Sequence, residues 1–327
     1  MAPRIGETIQ PDELARKTLR LISERVRDSP RRLYLMGILA SDDVGSHQYA
    51  NWTRKTCEDI GVYFHLVKLS PENVATYVRA INGNTSIHGI MVYYPIFGDK
   101  RDDTIRQLVT PEKDVEGLNR QTLDRLSEPT EGPRQPEQGK SIIPCTPRAV
   151  AWILEWMKIH DRTRLAGEKL RDQEICIINR SNVVGLPLAR LLAGEGARVY
   201  SVDITGVQLF QRIYYPWNTE GLHGKDLPNW SLRDALQRSQ VVISAVPDPA
   251  FKVNTKWLQR GAICVNVSSE KVRILSYEAI GAKDLPNESA QNFEPNVVEV
   301  ASKFVPRVGS VTIGALLYNL ILCSSRS

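Results

Sequence analysis

The chain has 327 residues, 42% apolar and 24% charged, with a formal net charge of +5; that length fits two domains of roughly 100–200 residues, each with its own core. The charge is spread over both halves without a Lys/Arg block, which argues against a nucleic-acid surface. The longest apolar runs, residues 33–40 and 311–323, fall short of the roughly 20 residues of a membrane span.

In chain order, residues 11–28 place Leu14, Leu21, Ile22 and Val26 on one helical face. Residues 33–40 read as a buried strand, 46–60 as a helix stopping at Gly61, 65–69 as a strand, and 71–81 as a helix ending before Asn82-Gly83-Asn84. A strand at 89–95 and a short helix at 103–109 complete a βαβα series, which implies a mostly parallel sheet with covered faces. Residues 127–140, rich in Pro, Glu, Gly and Gln, read as a surface loop, and 146–160 as a long helix able to bridge two domains. A second series follows: strand 175–179, helix 184–193, strand 198–202, an irregular aromatic excursion at 206–231, strands 241–246 and 262–267, and a packed C-terminal helix at 310–322.

Five cysteines occur without metal-ligand spacing, and Cys176 and Cys264 lie inside apolar strands, so core thiols in a reducing compartment are expected. Early Glu7, Asp12 and Glu13 argue against a mitochondrial presequence, and a cytoplasmic protein is expected. His160 and His223 have no partner by sequence and read as surface or helix-end residues.

At residues 175–190 an apolar strand ends in a polar turn, with Gly185 near the start of a helix whose amides can hold a pyrophosphate. The usual GxGxxG pattern is absent, Asn179 standing where a first glycine would, and a strand–turn–helix with one glycine also serves as plain scaffold. Asp203, at the tip of the next strand, is placed to accept hydrogen bonds from adenosine ribose hydroxyls.

Six segments in register are SHQYANWTRKT (46–56), GIMVYYP (89–95), EKDVEGLN (112–119), IIPCTP (142–147), NRSNVVGLPLA (179–189) and VGSVTIGALL (308–317). Together they make the chain resemble the methylenetetrahydrofolate dehydrogenase/cyclohydrolase family, nearest to its monofunctional NAD-dependent fungal type. The resemblance implies two α/β domains with a folate cleft between them: an N-terminal folate domain, residues 1–155 rejoined by a helix in 305–327, and a Rossmann-like NAD domain, 156–304. It implies a homodimer formed through the NAD domains, and a role in one-carbon metabolism serving purine biosynthesis.

The family's Tyr-x-x-x-Lys motif implies that Tyr49 stacks on folate, with Thr53 at the lysine position. Lys55 is no substitute: at 100° per residue a position four on lies about 40° from Tyr49, and one six on about 240° away. Tyr93 stands where bifunctional relatives carry glutamine. Glu116 matches the pterin-contacting aspartate, although residues 113–116 in isolation read as a solvated loop. On the cofactor side the resemblance implies contacts from Thr146, Asn179, Arg180, Ser181, Gly185, Asp203, Ile204, Val246, Val267 and Thr312, with Arg180 and Ser181 flanking phosphates or ribose. NADP-using relatives place His-Arg or similar residues after the second strand; here Asp203-Ile204-Thr205 points to NAD. The segment 306–312 is shorter than its family counterpart. The expected reaction is hydride transfer from 5,10-methylenetetrahydrofolate to NAD without cyclohydrolase activity. Alternatives are a bifunctional dehydrogenase/cyclohydrolase, a non-catalytic folate-binding protein, and a small-hydroxy-acid dehydrogenase, for which no His–Asp or Arg–His pair is evident.

Overall fold

The computed structural model describes residues 6–126, 141–212, 222–268 and 291–325. The first half runs β1 (Glu7–Thr8), α1 (Asp12–Arg27), β2 (Tyr34–Leu39), α2 (Val44–Ile60), β3 (Tyr63–Lys68), α3 (Val74–Asn82), β4 (Gly89–Tyr93), α4 (Arg101–Leu108), α5 (Arg120–Arg125) and α6 (Cys145–Trp156). The second runs β5 (Glu174–Ile178), α7 (Gly185–Gly194), β6 (Arg198–Asp203), β7 (Gly206–Phe210), β8 (Lys225–Asp226), α8 (Leu232–Arg238), β9 (Val241–Ser244), β10 (Ile263–Asn266), α9 (Val297–Val300), β11 (Lys303–Val305) and α10 (Gly309–Ser324).

Local chemistry explains where several elements begin and end. Asp12 and Glu13 occupy the first turn of α1, and Arg25 and Arg27 the last, each sign matched to the helix dipole. Asp43 caps α2 by accepting from the Ser46 amide, and Gly61 (φ +84°) ends it in the left-handed conformation. The buried face of α1 is Ala15, Ile22 and Val26; Leu21, expected there, is exposed, because it lies one position off the stripe.

The small sheet is parallel, in the order β3-β2-β4, and the large one runs β1-β11-β10-β9-β5-β6-β7-β8. The latter is parallel from β1 to β6 and antiparallel beyond. Two findings differ from the reading of local pattern. The excursion at 206–231 contains the strand β7 and the edge strand β8, and Trp230 stacks on Tyr200 at 4.9 Å; Tyr214, Tyr215 and Trp217 lie outside the described residues, as does the stretch 127–140. Glu7–Thr8 pairs with β11, so the start of the chain sits on the edge of the large sheet.

The two halves share helices. α10 is apolar all round, as a buried helix must be, and packs against both α1 and α6. Trp152 of α6 touches the apolar core of each half. All five cysteines are buried and none forms a disulfide among the described residues, as expected of core thiols.

Candidate active site

The folate-side residues gather at the C-terminal end of the small sheet. Tyr49 and Thr53 lie one turn apart on α2, and the Thr53 hydroxyl donates to the Tyr49 carbonyl at 2.8 Å. Tyr93, the last residue of β4, meets the Tyr49 ring edge-on at 5.9 Å, and Trp52 lies 5.8 Å from the same ring. Tyr93 is 3% exposed, and its hydroxyl, beside Thr53, has no hydrogen bond of good geometry among the described residues. Burial pushes the pKa of both phenols well above the ordinary tyrosine value, so both stay neutral near pH 7. Thr53 is wholly buried while Lys55 is exposed, so the helix turns Lys55 away from Tyr49.

Glu116 reaches the same place from the loop after α4. Its Oε2 accepts from the Val92 amide of β4 at 3.2 Å. The segment 113–116 is not a solvated loop. Lys113 Nζ donates to the carbonyls of Ile81 and Asn84, and the Asp114 carboxylate accepts from the amides of Gly117 and Asn119. Burial pushes the Asp114 carboxyl up to about 6. Gly117 has φ +71°, and a Cβ there would lie 2.8 Å from Pro144 N; the loop therefore packs tightly against the start of α6. These partners are remote in sequence, so local polarity gave no sign of them. Cys145, also unforeseen, opens α6 close enough to Tyr49 to raise its pKa, and donates its thiol to the Val115 carbonyl.

Of the cofactor-side residues, all but Thr146 on α6 and Thr312 on α10 lie at or follow the C-terminal ends of β5, β6, β9 and β10. The chain leaves β5 for β6 on one side and later fills β9 on the other, the switch point at which open α/β sheets bind ligands. Asn179 has φ +82° and takes the place of a glycine; its Oδ1 accepts from Ser181 N and its Nδ2 donates to the Ala245 carbonyl. The Ser181 hydroxyl accepts from the amides of Val184 and Gly185. A Cβ on Gly185 would lie 1.7 Å from the Asn179 carbonyl oxygen, so only glycine fits this turn. A strand-to-helix turn this close to the backbone suits the pyrophosphate of a dinucleotide.

Asp203 accepts from the amides of Arg180 (2.6 Å) and Ile204 (2.7 Å), joining the first turn to the second. The Arg180 guanidinium does not face the turn: it donates to the Ser201 and Gly206 carbonyls and to the hydroxyls of Ser201 and Thr205, so it braces the β6–β7 hairpin. Ile204 stands fully exposed at the hairpin tip. Val246 N donates to Asn292 Oδ1, Val267 N to the Ser244 carbonyl, and the Thr312 hydroxyl to the Val308 carbonyl, while Thr146 is half-buried in the first turn of α6. A cavity of about 410 Å³ separates α4 and α5 from Asn182 and Val183 of the turn, with Arg106, Leu123 and Arg190 on its walls. A larger one, about 540 Å³, lies at the opposite, N-terminal ends of β2 and β3 and holds none of these residues.

Residues 9–116 match the model of the tetrahydrofolate dehydrogenase/cyclohydrolase catalytic domain. The chain is 37% identical over 297 residues to the methylenetetrahydrofolate dehydrogenase [NAD(+)] of Saccharomyces cerevisiae, covering 88% of this chain and 84% of that protein. It belongs to the tetrahydrofolate dehydrogenase/cyclohydrolase family. The enzyme of the same name from Schizosaccharomyces pombe is 36% identical over 295 residues, with 89% and 84% covered. The solved structure of the NAD-dependent 5,10-methylenetetrahydrofolate dehydrogenase of Saccharomyces cerevisiae superposes with a TM-score of 0.84 at 34% identity, covering 99% of this chain and 98% of that one.

Proposed function

We infer that this family member oxidises 5,10-methylenetetrahydrofolate to the 5,10-methenyl form with NAD, in one-carbon metabolism, and that it does not usefully hydrolyse the product. The observation that carries the first part is the likeness, over nearly the whole chain, to the yeast NAD-dependent dehydrogenase. The turn at 179–185 and the carboxylate of Asp203 fit a dinucleotide without a 2′-phosphate. NAD, when bound, supplies the hydride acceptor.

The chain's own groups need do little proton chemistry, because loss of hydride leaves a resonance-stabilised cation. Tyr49 offers a ring for the pterin to stack on, and Glu116 accepts hydrogen bonds from pterin N–H groups. The rate then rests on holding the methylene carbon in line for transfer. Asp203 disfavours a 2′-phosphate: like unit charges 4 Å apart repel by about 1 kcal/mol in water and about 4 kcal/mol at an effective dielectric of 20.

Hydrolysis of the methenyl bridge needs a group that moves protons near neutral pH. Where the related motif has lysine there is the buried hydroxyl of Thr53, and beside it the Tyr93 phenol, held neutral. General acid–base groups typically contribute about 10²–10⁴-fold, and this pocket lacks that contribution. With NAD and methylenetetrahydrofolate, NADH and methenyl product are expected to form in equal amounts. Added methenyltetrahydrofolate should then decay at the buffer rate; enzyme-accelerated decay would overturn the second part.

The same reading takes residues 156–304 as the cofactor-binding unit, and 1–155 with 305–327 as the folate unit. It also proposes a cytoplasmic homodimer whose product feeds purine biosynthesis. Sedimentation showing only a 36.8 kDa species at micromolar concentration would refute the dimer.

A further inference from the structure

We propose that Asn319, braced by Arg148, is a positioning residue that sets the loop carrying Glu116; this rests on the reading that Glu116 orients the pterin. α10 is apolar all round, and Asn319 in its interior is completely buried. An asparagine there is a poor helix former and costly to bury unless its amide is satisfied. It is satisfied from outside the helix. Nδ2 donates to the carbonyls of Val115 and Ile143, each at 2.9 Å, and Oδ1 accepts from Arg148 Nη2 at 3.3 Å.

Arg148, on α6, is 8% exposed. Its Nη2 also donates to the Ser141 carbonyl at 2.8 Å, and its guanidinium lies 4.9 Å from the Tyr318 ring centre. Its hydrogen-bond acceptors among the described residues are neutral oxygens.

The two carbonyls that Asn319 grips belong to the two loops that enclose Glu116. Val115 is its neighbour in the chain. Ile143 precedes Pro144, against which Gly117 is packed, and Cys145, whose amide donates to the Glu116 carbonyl at 3.3 Å. One side-chain amide thus fixes the Glu116 peptide from both flanks, while the carboxylate is held from the front by Val92 N. Without it the two carbonyls lose their shared donor, and Glu116 can shift by the roughly 1 Å that slows hydride transfer.

The test is a double-mutant cycle on the full chain with Asn319→Leu and Glu116→Ala, read as kcat/KM for methylenetetrahydrofolate, the dissociation constant of NADH by fluorescence, and thermal unfolding. Asn319→Leu keeps the branched heavy-atom shape and removes the amide's donors and its acceptor. It is expected to lower kcat/KM by about 10²-fold, the cost of roughly 1 Å of misplacement, while NADH affinity changes less than twofold. In the Glu116→Ala background, where nothing remains to be positioned, the same substitution should cost less than threefold. Equal losses in both backgrounds would show that Asn319 is merely structural and overturn the proposal. An Asn319→Leu protein with unchanged kcat/KM would overturn it too. If Glu116→Ala alone is silent, the reading of Glu116 itself fails, which is a distinct result. Should Asn319→Leu not fold, Asn319→Ser, too short to reach both carbonyls, replaces it with the same expectations.

Discussion

In the turn at 179–185 the side chains serve the backbone, and in the pocket around Tyr49 the backbone serves the side chains. Asn179, Ser181 and Asp203 use their polar atoms to shape the turn, capping the amides of Arg180, Ser181, Val184 and Gly185. Around Tyr49 the main chain of β4, of the 113–117 loop and of α6 is bonded so as to present two phenols, a buried threonine and one carboxylate. A turn shaped by its own caps and a pocket lined by side chains can change independently, the pocket without altering the turn.

The sharpest way to break the comparison is at Gly185. In Gly185→Ala the new Cβ would fall 1.7 Å from the Asn179 carbonyl oxygen, so the turn must open. Overpacking of this kind costs about 1–3 kcal/mol, and NADH affinity measured by fluorescence should fall by about 10²-fold. The near-ultraviolet signal of the pocket aromatics should persist; its loss would mean that the turn and the pocket are one unit.

Asp114 probes the pocket's backbone. Its folded-state pKa, about 6, lies above the ordinary 3.8, so this group favours the folded state below pH about 4, and that stability is lost as pH rises through about 6. The denaturation free energy of the natural protein minus that of Asp114→Asn should therefore fall by roughly 1–3 kcal/mol between pH 4 and 7, at about 1.4 kcal/mol per unit. A flat difference would place the carboxylate in contact with water.

Asp203→Ser tests whether the turn carries any specificity beyond shape. Relaxing the repulsion of a 2′-phosphate should narrow the ratio of kcat/KM for NAD over NADP by about tenfold, since about 1.4 kcal/mol is a factor of ten. An unchanged ratio would assign the preference to the Arg180-braced hairpin instead.

The smallest effect is expected at Lys55. It is exposed, on a face of α2 turned from Tyr49, so Lys55→Ala should leave both dehydrogenase turnover and the decay of methenyltetrahydrofolate unchanged. A loss of either would bring this lysine into the pocket.

Much of this was legible in the sequence where one element supplies the whole geometry. The helical period put Thr53 one turn from Tyr49 and sent Lys55 elsewhere, and α2 keeps that arrangement. The strand–turn–helix around Asn179 and Gly185 was readable for the same reason, although the left-handed conformation of Asn179 was not. Residues 113–116 were misread because burial comes from partners such as the Ile81 and Asn84 carbonyls, some 30 positions away. The sequence places Arg180 with Ser181 beside the cofactor phosphates or ribose, but carries no sign that the hairpin supplies acceptors for its guanidinium.

The sequence by itself determined the alternation of strand and helix, the parallel sense that follows from it, the helix face of Tyr49 and the strand–turn–helix at Gly185, all of which depend on patterns within a few residues. Only the tertiary structure decided that β1 closes one edge of the large sheet and β7–β8 extend the other. It alone brought Asn319, near the C-terminus, under the loop of Glu116. Such pairings depend on which unsatisfied backbone and amide groups meet when distant segments pack, and a local sequence period carries no record of that meeting.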